Sequence, residues 1–156
     1  MMCTTRLLAW VLAGAVSLAG ARMASGQETP GPGDKLAARV SQFLEGVARG
    51  ETQTAYEELL RGSQLITQTE AVEALVEKTG RISGQYGQYR AFEQVDVKQI
   101  GSDLVLMRYL YKCENFPVVW YFTFYRTPAP GELSAENDTW RVITVQFDTR
   151  LERLAF

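Results

Sequence analysis

The 156-residue chain contains no histidine. Ser-His-Asp and Cys-His nucleophile systems therefore cannot be assembled. Zincin-type helical motifs and most zinc sites are excluded for the same reason. Any acid–base chemistry must fall to carboxylates, tyrosine, lysine or a thiol. Cysteine is almost as scarce, with only Cys3 and Cys113. Long apolar runs are missing beyond the N-terminus. The longest, Pro117 to Phe122, has the length of a strand. Runs of lysine and arginine are missing too, so the clustered cations that phosphate contacts require are absent. This argues against nucleic acid and against a membrane surface as partners. There is no phosphate-binding Gly-x-x-x-x-Gly-Lys, no calcium-loop pattern, no internal repeat and no sign of a cofactor. Gly84-x-x-Gly87 has the spacing of a nucleic-acid-binding loop but no basic flank. Asn137-Asp138-Thr139 is a glycosylation acceptor only in a eukaryotic secretory host.

The N-terminus carries the parts of an export signal. Arg6 gives a positive charge, Leu7 to Gly20 is apolar, and small residues follow at Ala19, Ala21, Ala24 and Gly26. The apolar stretch is shorter than the roughly 20 residues that span a bilayer. Cleavage is expected after Gly26, with Ala21 as the alternative, giving a secreted or periplasmic protein. Removal of residues 1–26 takes Arg6 and Arg22, leaving 14 basic against 18 acidic residues and a net charge of −4. It also takes Cys3, so Cys113 has no partner for an internal disulfide. Cys113 is then either a reactive thiol or a small buried residue at a strand end, and the frequent burial of free cysteine favours the second.

The remaining length is that of one domain, expected over residues 34–156 after a flexible leader at 27–33. Asp34 is the predicted N-cap of a first helix with Leu36, Val40, Phe43, Leu44 and Val47 on one face, ended by Gly50. A second helix presents Ala55, Tyr56, Leu59 and Leu60, and stops at Gly62. Thr67-x-x-Glu70 reads as a capping box for a third, with Val72, Leu75 and Val76 inward and Gly80 at its end. A Gly-rich connector at 83–88 leads into four predicted strands, at 89–100, 103–113, 117–127 and 139–149. A Gly101-Ser102 turn joins the first two. Glu114 to Pro117 joins the next two, and a polar loop from Thr127 to Asp138 precedes the last. Short connections imply an antiparallel meander. Helices followed by strands imply an α+β fold with the helices on one sheet face. The central strands are apolar on both faces, so the second face also needs cover. The C-terminal Leu151, Leu154 and Phe156 are expected to tuck back onto the domain.

These segments together carry a family resemblance. Gly50-Glu51 through Ala55-Tyr56 to Leu59, the strand Trp120-Tyr121-Phe122-Thr123-Phe124-Tyr125, and the closing Trp140-Arg141-Val142 and Gln146-Phe147-Asp148 are its residues. Over about residues 34–154 the chain resembles the nuclear transport factor 2-like superfamily, and within it the exported bacterial members of unknown function. The resemblance implies three N-terminal helices packed on a curved four-stranded antiparallel meander, wrapped as a cone around a pocket. It also implies a homodimer paired through the outer sheet face.

Several side chains are candidates for a site. Tyr56, Trp120, Phe122 and Phe124 could line a pocket for a small apolar ligand, or could be plain core. Arg108, between Leu106 and Leu110, could fork onto a carboxylate, or could snorkel at a dimer interface formed with those leucines. Some catalytic members of the superfamily use an aspartate base beside hydrogen-bond donors. Asp96 could imitate that base with Tyr56 or Tyr109, but strict alternation puts it on a solvent face beside Lys98. The expected role is therefore a non-catalytic ligand-binding or interaction module. The alternatives are an enzyme acting on a small hydrophobic substrate by carboxylate and tyrosine chemistry, and a structural dimerisation module.

Overall fold

The computed structural model describes residues 32–127 and 139–154. The expected export signal, most of the leader, loop residues 128–138 (which include Asn137) and Phe156 lie outside the described residues. The described chain is an α+β structure in which the helices precede a four-stranded sheet. The helices are α1 (Pro32–Ala48), α2 (Thr52–Leu59), α3 (Thr69–Gly80) and the short α4 (Ile82–Tyr86). A 3-10 turn at Gln64–Thr67 precedes α3. The strands are β1 (Tyr89–Ile100), β2 (Leu104–Cys113), β3 (Val118–Thr127) and β4 (Thr139–Asp148), an antiparallel meander in the order β1-β2-β3-β4. No helix among the described residues is long and apolar enough to cross a membrane.

The helix faces follow the apolar spacing. Leu36, Val40, Phe43, Leu44 and Val47 of α1 and Ala55, Tyr56 and Leu59 of α2 are all buried. Gly50 and Gly62 end their helices in the left-handed conformation that glycine adopts without a steric penalty. The starts differ from expectation. Helix α1 begins at Pro32, whose fixed φ suits a first turn, so Asp34 lies inside that turn rather than capping it. No capping box forms at α3. Thr67 donates its hydroxyl to the Gln64 carbonyl within the 3-10 turn (2.8 Å), and Gln68 precedes α3 without a side-chain cap. The connector at 83–88 is not loop throughout, because Ile82, buried, anchors the single turn of α4.

On the sheet's inner face lie Val105, Met107, Tyr109, Tyr111 and Cys113 of β2, with Val118, Trp120, Phe122 and Phe124 of β3. Two strands depart from strict alternation. In β1, register shifts surround Arg90 and Val95, so Phe92 and Gln94 share the inner side while Asp96 faces Arg108 on the outer side. In β4 the shift at Ile143 lets Val142, Val145 and Phe147 all reach the core. A bulge adds one residue to one strand and so moves every later side chain to the opposite face of an alternating count.

Phe43 of α1 is the contact between the layers. Its ring meets Tyr56, Trp120 and Phe122 edge-on, at 4.9, 5.3 and 5.7 Å. Edge-to-face geometry of this kind adds to the area buried. The open edge of β4 is held by three side chains from the helical layer. Arg39 donates to the Trp140 carbonyl (3.0 Å) as well as to Leu59 and Arg61 at the end of α2. Ser63 donates to Val142 beside the bulge, and Lys78 reaches the Phe147 carbonyl. Occupied carbonyls make a poor template for pairing with another strand. After β4, the 3-10 turn Leu151–Leu154 lies against β3, with Leu154 half-buried but Leu151 exposed, so only part of the expected C-terminal tuck is seen.

Trp120→Ala is expected to cost about 3–5 kcal/mol in denaturant-induced unfolding, as truncation of a buried aromatic does. A loss below about 1 kcal/mol would place Trp120 outside the core.

Candidate functional site

The sequence-predicted pocket residues fall at the centre of the core. Trp120 and Phe124 are fully buried and Phe122 nearly so. Trp120 and Phe122 stack at 5.8 Å, and Trp120 meets Phe147 at 4.6 Å. None of the three lines the cavities at the margins of the fold. The Trp120 indole N–H is sealed from solvent and makes no hydrogen bond, so the ring is there for its bulk. Tyr56 is also fully buried, and its hydroxyl lies 3.0 Å from that of Thr79. That bond takes Tyr56 to the wall of an adjacent cavity but not into it.

Arg108 meets an internal acid. Its Nη2 and Nε both donate to one Asp96 oxygen, at 2.6 and 3.2 Å. Asp96 therefore lies on the outer face paired with Arg108, away from Tyr56 and Tyr109, and the three groups do not converge. The Tyr109 hydroxyl instead donates to the Gln94 amide oxygen at 2.8 Å. Leu106 and Leu110 flank Arg108 on the outer face, and all three are half-buried.

A cavity lies where α1 and α3 end against the start of β1 and the end of β2. It holds about 270 Å³. Ala48, Gly50, Thr52 and Gly80 keep its helical wall thin, because none carries a long side chain. The opposite wall is built by Tyr89, Tyr111 and Cys113. Tyr111 is 3 % exposed, and its ring packs on that of Tyr89 at 4.9 Å. Its hydroxyl has no hydrogen-bond partner among the described residues. Cys113, buried at the last position of β2, takes the apolar role expected for it, and it also forms part of this wall.

Burial sets the protonation of these groups. It pushes the Tyr111 phenol well up, with Cys113 and Tyr89 close by adding to the shift. The Tyr89 phenol is raised, first by desolvation and then by Glu45. Burial pushes the Cys113 thiol up as well. All three stay protonated and neutral at neutral pH. Arg49, at the rim, is paired with Glu51 at 2.9 Å. The cavity thus offers neutral hydroxyls, one thiol and aromatic faces, without a carboxylate in its lining. No group of three or more potential metal ligands occurs among the described residues.

Periodicity did not point to this cavity, because it arises where elements end. Tyr111 and Cys113 share the inner face of β2 with Tyr109. What distinguishes them is that they run on past the helices, opposite small residues.

No protein-family model matches the chain, and no curated protein or solved structure shows significant similarity to it.

Burial raises Tyr56 and Tyr109 to about 12 from an ordinary phenol value of 10.0. Below pH 10 both the folded and the unfolded chain keep these protons, so the full contribution to stability is present. Above it the unfolded chain ionises first, and stability falls as pH climbs from 10 towards 12. Part of the phenolate absorbance is therefore expected to appear only as the protein unfolds. Complete titration near pH 10 with native circular dichroism retained would contradict this.

Proposed function

We propose that the chain is an exported, non-catalytic binding module that holds a small, uncharged molecule in the cavity beside Tyr111. The observation that carries this reading is a hydroxyl on an otherwise buried tyrosine that opens onto the cavity. The Tyr111 hydroxyl has no partner among the described residues and is not sealed from the cavity, so it is free to meet a ligand there. A ligand acceptor would take this hydroxyl's hydrogen bond while its body packed on the Tyr89 ring. Size supports a small ligand, since the cavity of about 270 Å³ falls just below the roughly 300–1,000 Å³ of drug-sized sites. Protonation supports binding rather than catalysis. A general base works best with a pKa near the operating pH, and the phenols and thiol of the lining are shifted away from it.

Export is supported by Arg6, the apolar Leu7–Gly20 stretch and the small-residue exit at Ala24-Ser25-Gly26. A cone of the nuclear transport factor 2-like kind is supported by the order of helices and strands, and by bulges in β1 and β4, since each bulge bends its strand.

Gly80→Leu tests the cavity. A Cβ at Gly80 meets no atom within 4 Å, and glycine is a poor helix residue, so the fold is expected to persist. The added side chain crowds the cavity and is expected to weaken retention of a small molecule about tenfold, or ~1.4 kcal/mol, in native mass spectrometry. A purified protein that retains no small molecule would overturn the reading.

The outer sheet face supports pairing of two copies. Ile100 and Tyr125 are 46 % and 42 % exposed there, beside half-buried Leu104, Leu106 and Leu110. Arg108, between Leu106 and Leu110, is already neutralised by Asp96. Sedimentation is expected to show a dimer, broken by Leu106→Asp. A wild-type monomer at tens of micromolar, a routine concentration for weak homodimers, would exclude the pairing.

A further inference from the structure

A second site, independent of the cavity at Tyr111, runs along the open edge of β4. Between that edge and α3 lies a trough of about 190 Å³ with an apolar lining that includes Leu60, Val72, Leu75 and Val145. Across Leu65, Gln68 and Ile143, which line both spaces, it continues into a hollow of about 390 Å³. The wall of this second hollow carries Arg141 and Tyr125. The groove is thus apolar at one end and cationic at the other.

Arg141, on the edge strand β4, differs from the arginines of the two central strands. Arg108 is paired with Asp96, and Arg126 with Asp103. Arg141 makes no ion pair, hydrogen bond or ring contact with any described residue, and its Nε is sealed from solvent without an acceptor. Its two terminal nitrogens are not sealed, and such a pair of donors matches a planar carboxylate two at a time. Ile143, the extra residue of the bulge, stays 45 % exposed between the two hollows. A large apolar side chain left in the open beside an apolar trough is what an apolar ligand would cover. From Arg141 to Val145 the strand advances roughly 13 Å at about 3.3 Å per residue, less a little for the bulge. That length suits a short acyl chain.

We infer that this groove binds an amphiphilic carboxylate, with the acyl chain lying along α3 and the head group on the Arg141 fork. The charge excludes a simple hydrocarbon as the best ligand, and the apolar trough excludes a bare anion.

Calorimetry on the purified protein tests this with three probes: octanoate, octanol and acetate. Octanoate is expected to bind at least about tenfold more tightly than either control, a difference of one well-made charged contact. Arg141→Gln is expected to bring octanoate down to the level of octanol and to leave octanol unchanged, and Arg141→Lys to restore part of the difference. Equal binding of octanoate and octanol by the wild type would overturn the inference, whatever the variants do. So would an octanoate affinity unaffected by Arg141→Gln. Octanoate binding that appears only after Glu132, Glu136 and Asp138 are neutralised would assign Arg141 to the chain's own 128–138 segment and overturn it as well.

Discussion

Phe43 projects from α1 into the middle of the sheet's inner face, and its ring is the point at which the two layers lock. It meets an α2 tyrosine on one side and a stacked Trp120–Phe122 pair on the other. Three edge-on contacts through one ring leave little freedom for α1 to slide or rotate over the sheet. Helix α2 follows α1 after a tight turn at Gly50, so the same ring also fixes the second helix. The Tyr56 hydroxyl passes the constraint to α3 through Thr79. Arg39 then ties the end of α2 to β4.

A centre packed in this way has consequences for function. The aromatic strand residues that look most like a ligand pocket in the sequence are spent on the core. Open space is left at the margins, where the helices stop before the strands do. At one margin Tyr111 and Cys113 extend beyond the small residues that end α1 and α3. At the other, the open edge of β4 stands off from α3 and leaves a trough beside Arg141. The two margins differ in chemistry. The first is lined by neutral hydroxyls held protonated by burial, the second by aliphatic side chains with one cation. Neither places a carboxylate beside a phenol in the way that acid–base catalysis of the expected kind requires.

Much of this architecture was legible in the residues. Apolar spacing marked the buried faces of α1 and α2, and Gly50, Gly62 and Gly101 marked turns that need positive φ. Strand limits were legible to within a residue, because Gly-Ser and Glu-Asn-Phe-Pro punctuate them. What failed was the side-chain phase in β1 and β4. A bulge shifts the phase by one residue, and Val95 and Ile143 are ordinary strand residues whose chemistry does not announce it. Asp96 moved to the Arg108 face for this reason. The cavity at Tyr111 was hidden by a related limit, since periodicity describes the interior of an element and not what faces its end.

The claim that binding space lies at the margins because the centre is filled can be tested directly in a crystal soaked with phenol, a small probe with both an aromatic face and a hydroxyl. Phenol density is expected against Tyr111 and Tyr89, with its oxygen at the Tyr111 hydroxyl, and none among Trp120, Phe122 and Phe124. Density wedged between Phe43 and Trp120 would show that the core opens, and would contradict the account.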